Sequence, residues 1–174
     1  MRLLLIRHGI AETREDFART GEGDDLRPLT RDGRRRMRRA ARGLRELVPA
    51  IDTLLTSPLV RARQTADVVA RTYGGPAPTE LEALRPERPP DELLHWLRRE
   101  LERGEATIAL VGHDPHLSTL LTWLVTGQRE SWLGLRKGGA CLVEFRGPPE
   151  AGAGEIRWLA APKVLRRLAT RRRR

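Results

Sequence analysis

Three short strings put nucleophilic and cationic side chains directly after apolar runs. They are Arg7-His8-Gly9 after Leu3 to Ile6, Ser57-Pro58 with Arg61 one turn on, and Gly112-His113-Asp114-Pro115 after Thr107 to Val111. Arginine offers a planar fork of donors matched to carboxylate or phosphate, and histidine can act as nucleophile or base. Gly9 lets backbone come close to a ligand. Two Arg, two His and the exposed amides of helix starts would surround a dianion from several sides. Such a set is suited to a phosphoryl group.

The elements that must position these residues follow from the pattern around them. The apolar run over 3–6 and the largely apolar segments 51–55 and 107–111 predict buried strands, as in a parallel sheet covered on both faces. In such sheets ligands sit beyond the carboxyl ends of the strands, where all three strings fall. Helices are expected over 30–48, with Thr30 as N-cap and Met37, Ala40, Ala41, Leu44 and Leu47 on one face. Further helices follow Ser57-Pro58, with Ser57 as cap, then over 90–103 and 116–126, and over 162–169 as a closing helix. Residues 80–84 read as a short strand or an extended connection. Two β-like segments, 139–146 and 155–160, would add to the sheet with one strand antiparallel.

These elements predict one α/β domain over residues 1–174, a three-layer sandwich with a mostly parallel central sheet flanked by helices. Residues 10–29 lack sustained periodicity and leave directly from Gly9, so they read as a flap beside the site or as a surface loop. Arg14 and Arg19 are its candidate substrate contacts. The terminal Arg171 to Arg174 reads as a frayed, solvated tail.

Composition narrows the function classes. The chain is 39% hydrophobic and 32% charged. No apolar run approaches the roughly 18 residues of a membrane span, and the N-terminus lacks a secretory apolar region. Membrane association is therefore not expected, and a cytoplasmic location is. Cys141 is the only cysteine, which excludes an intrachain disulfide and a cysteine metal cluster; it reads as a small buried hydrophobe. A net charge of +10 invites a nucleic-acid reading. However, all 33 basic residues except Lys137 and Lys163 are Arg, spread over nearly every segment. Aromatics are few and no nucleic-acid motif is present, so no nucleic-acid partner is expected.

The strings Leu5-Ile6-Arg7-His8-Gly9, Leu55-Thr56-Ser57-Pro58-Leu59-Val60-Arg61-Ala62-Arg63-Gln64-Thr65-Ala66 and Val111-Gly112-His113-Asp114-Pro115 together resemble the histidine phosphatase superfamily. Within it they are most similar to the small signalling phosphohistidine phosphatases. The opening Leu29-Thr30-Arg31-Asp32-Gly33 is similar too, so the resemblance runs along nearly the whole chain. It implies a phosphoglycerate mutase-like fold and a phosphatase that needs no metal or other cofactor. His8 would be the nucleophile, forming a phosphohistidine intermediate. Arg7, Arg61 and His113 would grip the nonbridging oxygens, with Gly9, Ser57 and Asp114 as further substrate contacts. His113 would act best as a protonated donor, with its pKa raised by the bound phosphate, which predicts activity falling on both the acid and alkaline sides.

One departure bears on substrate. Larger relatives that cleave phosphate esters carry a glutamate general acid after the second helix, and the matching position here is Ala83. Glu80, Glu82 and Glu87 are the substitutes. Losing a positioned acid typically costs ~10²–10⁴-fold with a poor leaving group. A phosphorylated imidazole leaves more readily, so the expected substrate is a phosphohistidine protein in signal transduction, with a small phosphate ester as alternative. A mutase is disfavoured because no inserted cap excludes water. Two other classes compete less well with this pattern: a metal hydrolase using His8, His113, Asp114 and His116, and a non-catalytic anion-binding or nucleic-acid-binding module.

Overall fold

The computed structural model describes residues 1–101 and 107–170. The predicted tail, the end of the 90–103 helix and the side chains of residues 100 and 101 lie outside the described residues. In chain order the elements are β1 (Arg2–Arg7), α1 (Arg14–Ala18), α2 (Arg31–Leu47), β2 (Thr53–Thr56), α3 (Val60–Tyr73), β3 (Thr79–Glu80), α4 (Pro90–Leu101), β4 (Thr107–Gly112), α5 (His116–Thr126), β5 (Ala140–Glu144), β6 (Glu155–Ala160) and α6 (Pro162–Leu168). Short 3-10 turns cover Asp24–Leu26 and Glu82–Leu84.

The strands form a single six-stranded sheet in the order β3-β2-β4-β1-β5-β6. Only β5 runs against its neighbours, as the antiparallel pairings β1 with β5 and β5 with β6 require. Side chains alternate across a strand, so β1 feeds two cores at once. Leu3 and Leu5 pack with Leu93, Leu97, Leu117 and Leu120 on the α4 and α5 side. Leu4 and Ile6 pack with Met37, Leu44, Ala62, Ala66 and Leu165 on the α2, α3 and α6 side. That double burial is why β1 and β4 read as unbroken apolar runs. Among the described residues no helix is long and apolar enough to cross a membrane.

Register brings the three strings to one edge. Arg7 lies opposite Gly112, and Thr56 lies opposite Val111, so β1, β2 and β4 end flush. Thr30 caps α2 by accepting from the Gly33 amide at 2.8 Å. Gly33 is required there, because a Cβ would stand 2.0 Å from the Ile10 carbonyl oxygen. That close approach fixes the segment leaving His8 against the first turn of α2.

Several local expectations change. Residues 10–29 are ordered, holding α1 with Phe17 buried and returning through an Ala11–Leu29 bridge. Ladder pairing of β2 begins at Thr53, since Asp52 turns to Thr107, accepting its amide at 2.8 Å. Residues 80–84 split into the end of β3 and a 3-10 turn. Leu47 is 38% exposed because Val48, extended beyond the helix end, takes the core position.

Candidate active site

The backbone that carries His8 is pinned from both neighbouring strands. Its amide donates to Gly112 O at 3.0 Å, and the Arg7 amide donates to Gly139 O at 3.1 Å. The Gly138 amide, on a residue with φ +76, donates to the carbonyls of both Arg7 and His8. A residue with a Cβ would be strained in that conformation, and the turn brings Lys137 to the rim.

The His8 ring is oriented by its own chain. Nδ1 lies 2.7 Å from Gly9 O. A carbonyl can only accept, so Nδ1 carries the proton and Nε2 keeps its lone pair. Burial lowers the pKa to about 3, opposed by the Gly9 bond and assisted by Arg61, Arg7 and Lys137. The imidazole is therefore neutral at neutral pH. His113 stands against it, ring centroids 5.1 Å apart. Its pKa falls to about 2 through burial first, then the charges of His8, Arg61, His116 and Arg7. In the free protein crowded cations and low exposure keep His113 neutral, so the protonated donor expected of it depends on a bound anion raising its pKa.

These rings line a cavity of about 490 Å³ together with Arg7, Arg61, Asp114, Pro86, Lys137 and the flap residues Glu12, Thr13, Arg14 and Arg27. Arg61 is 3% exposed and Arg27 6%. Nε of Arg7 and Nε of Arg61 are buried without any acceptor. Two unsatisfied cationic donors beside a neutral imidazole are costly until an acceptor arrives.

The structure separates the expected residues. Arg7, His8, Arg61 and His113 converge, and Asp114 joins them. Asp114 faces Arg7 at 3.8 Å and accepts from the Leu135 amide at 3.4 Å, so its carboxylate is turned toward an arginine of the cavity. Gly9 and Ser57 do not line the cavity. The Gly9 amide is taken by Thr65 Oγ1 at 3.0 Å, and a Cβ there would meet Leu29 and Met37, so its small size serves packing. Ser57 is fully buried behind His113, with Oγ 2.8 Å from Nε2. It is not the helix cap; Leu59 holds that position, and its amide donates to Ser57 Oγ at 3.3 Å.

In the flap, Arg14 lines the cavity whereas Arg19 points away to Glu15 and Asp16. None of the three candidate acids lines it: Glu80 pairs with Arg63, and Glu82 and Glu87 pair with Arg85. His116, buried at the start of α5, also lies outside the lining, and among the described residues no three His, Cys, Asp or Glu side chains are grouped to hold a metal ion. Cys141 is buried and its thiol is pushed up to about 12 by burial. Sequence reasoning missed Glu12, Arg27 and Lys137. Only Lys137 carried a signal, as one of two lysines in an arginine-dominated chain.

The description "Histidine phosphatase superfamily (branch 1)" matches residues 3–86, which hold the first two strings. An uncharacterized protein of Picosynechococcus sp. is 39% identical over 139 residues, 80% of this chain and 82% of that protein. Phosphohistidine phosphatase SixA of Escherichia coli K12 is 26% identical over 163 residues, 93% of this chain and 94% of that protein. A solved structure of protein histidine phosphatase SixA complexed with tungstate superposes with a TM-score of 0.82 at 26% identity, covering 95% of this chain and 99% of that one. The chain belongs to the histidine phosphatase superfamily.

Within that superfamily it falls in the SixA-like group, and it is a phosphatase. The histidine phosphatase fold alone does not name a substrate. The alpha-ribazole phosphatase of Shigella flexneri shares it at a TM-score of 0.70 and 19% identity, over 93% of this chain and 97% of that one.

Proposed function

We propose that the chain is a phosphatase working through a phosphohistidine on His8, with a phosphohistidine protein as substrate. The observation that carries the reading is the Nδ1–H to Gly9 O bond, which leaves the Nε2 lone pair of a neutral ring in a cavity walled by Arg7, Arg61 and His113. Nε2 attacks phosphorus in line; the new N–P bond forms as the bond to the leaving imidazole breaks, and that imidazole, protonated on its other ring nitrogen before attack, departs as a neutral ring that keeps this proton. Water then attacks the same phosphorus, the bond to His8 breaks, and phosphate leaves with His8 neutral again.

Arg7 and Arg61 balance the charge spread over the nonbridging oxygens, so this chain's own cations supply the stabilisation. The dianion raises the His113 pKa, making it a donor in the complex; Ser57 holds its ring through Nε2. A phosphorylated imidazole needs little help to leave, which fits Ala83 at the acid position, with Glu80, Glu82 and Glu87 all outside the cavity lining. The similarity to phosphohistidine phosphatase SixA supports the same substrate class.

A small phosphate ester is the second reading, and Glu12 is the observation that favours it. The residue is half-buried and lines the cavity, so its carboxyl group is a candidate to protonate a leaving alkoxide. The test compares hydrolysis of a phosphohistidine protein with sugar and nucleotide monophosphates, in the parent and in Glu12→Gln, with phospho-His8 trapped by rapid acid-free quench and mass spectrometry. Preference for the N–P substrate, indifferent to Glu12→Gln, supports the first reading. Preference for an ester, lost in Glu12→Gln, replaces it with the second.

A further inference from the structure

The flap sends the Asp24 carboxylate to the most buried cation of the cavity. Arg61 NH1 donates to the Asp24 carbonyl at 2.8 Å, and Arg61 NH2 lies 3.2 Å from Asp24 Oδ2. The same carboxylate, through Oδ1, accepts from Arg27 Nε at 2.7 Å and stands 3.9 Å from Arg14 Nε. Arg27 in turn donates to the Glu12 carbonyl at 2.7 Å, which ties the two ends of the flap together. A buried guanidinium without a counter-ion is strongly unfavourable. Asp24 is the counter-ion, yet one carboxylate shared among three arginines leaves the cavity electropositive.

Donor arithmetic distinguishes holding from blocking. A guanidinium has five N–H donors in a fixed plane; the flap takes one from Arg61 in a hydrogen bond and holds the second terminal nitrogen in an ion pair, so Nε and the other N–H groups remain for an anion. With both terminal nitrogens held by one residue, the plane of the group is set. We propose that Asp24 is a positioning residue for Arg61, orienting its guanidinium for the phosphoryl group. This rests on the phosphatase reading above. Neighbouring Asp25 accepts from Arg85 Nη1 at 2.8 Å, and Arg85 is not among the residues lining the cavity. Asp25 therefore serves as a control that holds the same flap and contributes nearby negative charge without a hydrogen bond or ion pair to Arg61.

The experiment is a double-mutant cycle on full-length protein: parent, Asp24→Asn, Arg61→Lys and the double variant, with Asp25→Asn and Asp24→Glu alongside. Each is checked for an unchanged thermal midpoint and assayed with p-nitrophenyl phosphate and a phosphohistidine protein. Misplacing a catalytic group by an ångström can cost ~10²-fold, so Asp24→Asn should lower kcat by ~10–100-fold and change KM much less. Asp24→Glu should recover part of that loss. In the Arg61→Lys background the Asp24→Asn effect should shrink at least about fivefold, since the group it positions is gone. An Asp24→Asn kcat within twofold of the parent, full additivity with Arg61→Lys, or an equal loss in Asp25→Asn would overturn the proposal. Calorimetric titration with tungstate repeats the cycle without turnover. A parent that binds tungstate but hydrolyses neither substrate refutes the phosphatase reading and leaves the Asp24–Arg61 coupling to be judged from the tungstate affinities.

Discussion

Two arginine-lined hollows invite comparison. The larger, about 640 Å³, runs between α2 and α3 and is walled by Arg34, Arg38, Arg42, Arg45 and Arg71. The smaller, about 490 Å³, lies over the flush ends of β1, β2 and β4. In the groove the arginines stand on helix surfaces in contact with water, and Arg38, Arg42, Arg45 and Arg71 are all exposed. At the strand tips Arg27 and Arg61 are almost fully buried, two guanidinium Nε atoms lack an acceptor, and two imidazoles are held neutral. Size and number of cations therefore do not mark the site. Desolvation does, because a charge removed from water is worth far more to an incoming anion than one already solvated.

Replacing His8 by Ala should break the comparison most severely. Loss of a nucleophile should cut turnover on the order of 10⁴-fold or more, while the paired change Arg38→Ala with Arg42→Ala in the groove should stay within about twofold. Steady-state kinetics on the same substrate decide it, and a His8→Ala variant releasing phosphate at the parental rate would end the case for this cavity. Arg61→Ala comes next, with an expected loss of ~10²–10³-fold in kcat as transition-state charge goes unbalanced.

Ligand-induced stabilisation sharpens the contrast without any turnover. Inorganic phosphate at 100 times its Kd should add about 2.7 kcal/mol to the unfolding free energy. A calorimetric melting scan should find that increment in the groove variant and not in Arg61→Ala.

Acid should weaken the fold through the same cavity. Folded pKa values of about 3 for His8 and about 2 for His113 lie below the unfolded value of 6.5. Between those limits the unfolded chain binds more protons, so stability is full above about pH 6.5 and is lost as pH falls toward 3. Denaturant titrations across that window should show a shallower loss in His8→Gln; an identical slope would mean His8 is not held neutral. The smallest effect expected is from Ser57→Ala, which leaves one ring nitrogen of His113 without its partner and should cost about 1 kcal/mol of stability.

Much of this was legible beforehand for a simple reason. Strands buried on both faces must be written as continuous apolar runs, so the tips of β1 and β4 announced His8 and His113. The apolar α5 spans the predicted 116–126 because its Leu117, Leu120, Leu121 and Leu124 face the core. The place of the flap beside the site was legible and Arg14 does line the cavity, but its internal structure was not, since α1 spans only 5 residues and is secured by caps and by Phe17 rather than by periodicity. Ser57 read as a helix cap because Ser-Pro before an apolar helix has that local meaning; a histidine 56 positions later claims its hydroxyl instead.

What the chain by itself determined is the list of chemical groups at the strand ends and the layers that carry them, because side-chain periodicity is a local property of the backbone. What only the tertiary structure decided is which of 33 basic residues lose their water. Arg27 arrives from the flap and Lys137 from the turn before β5, and neither approach is encoded within a few residues of His8. Burial and partnership arise between segments distant in sequence. They are what turn an abundant cation into part of an anion seat.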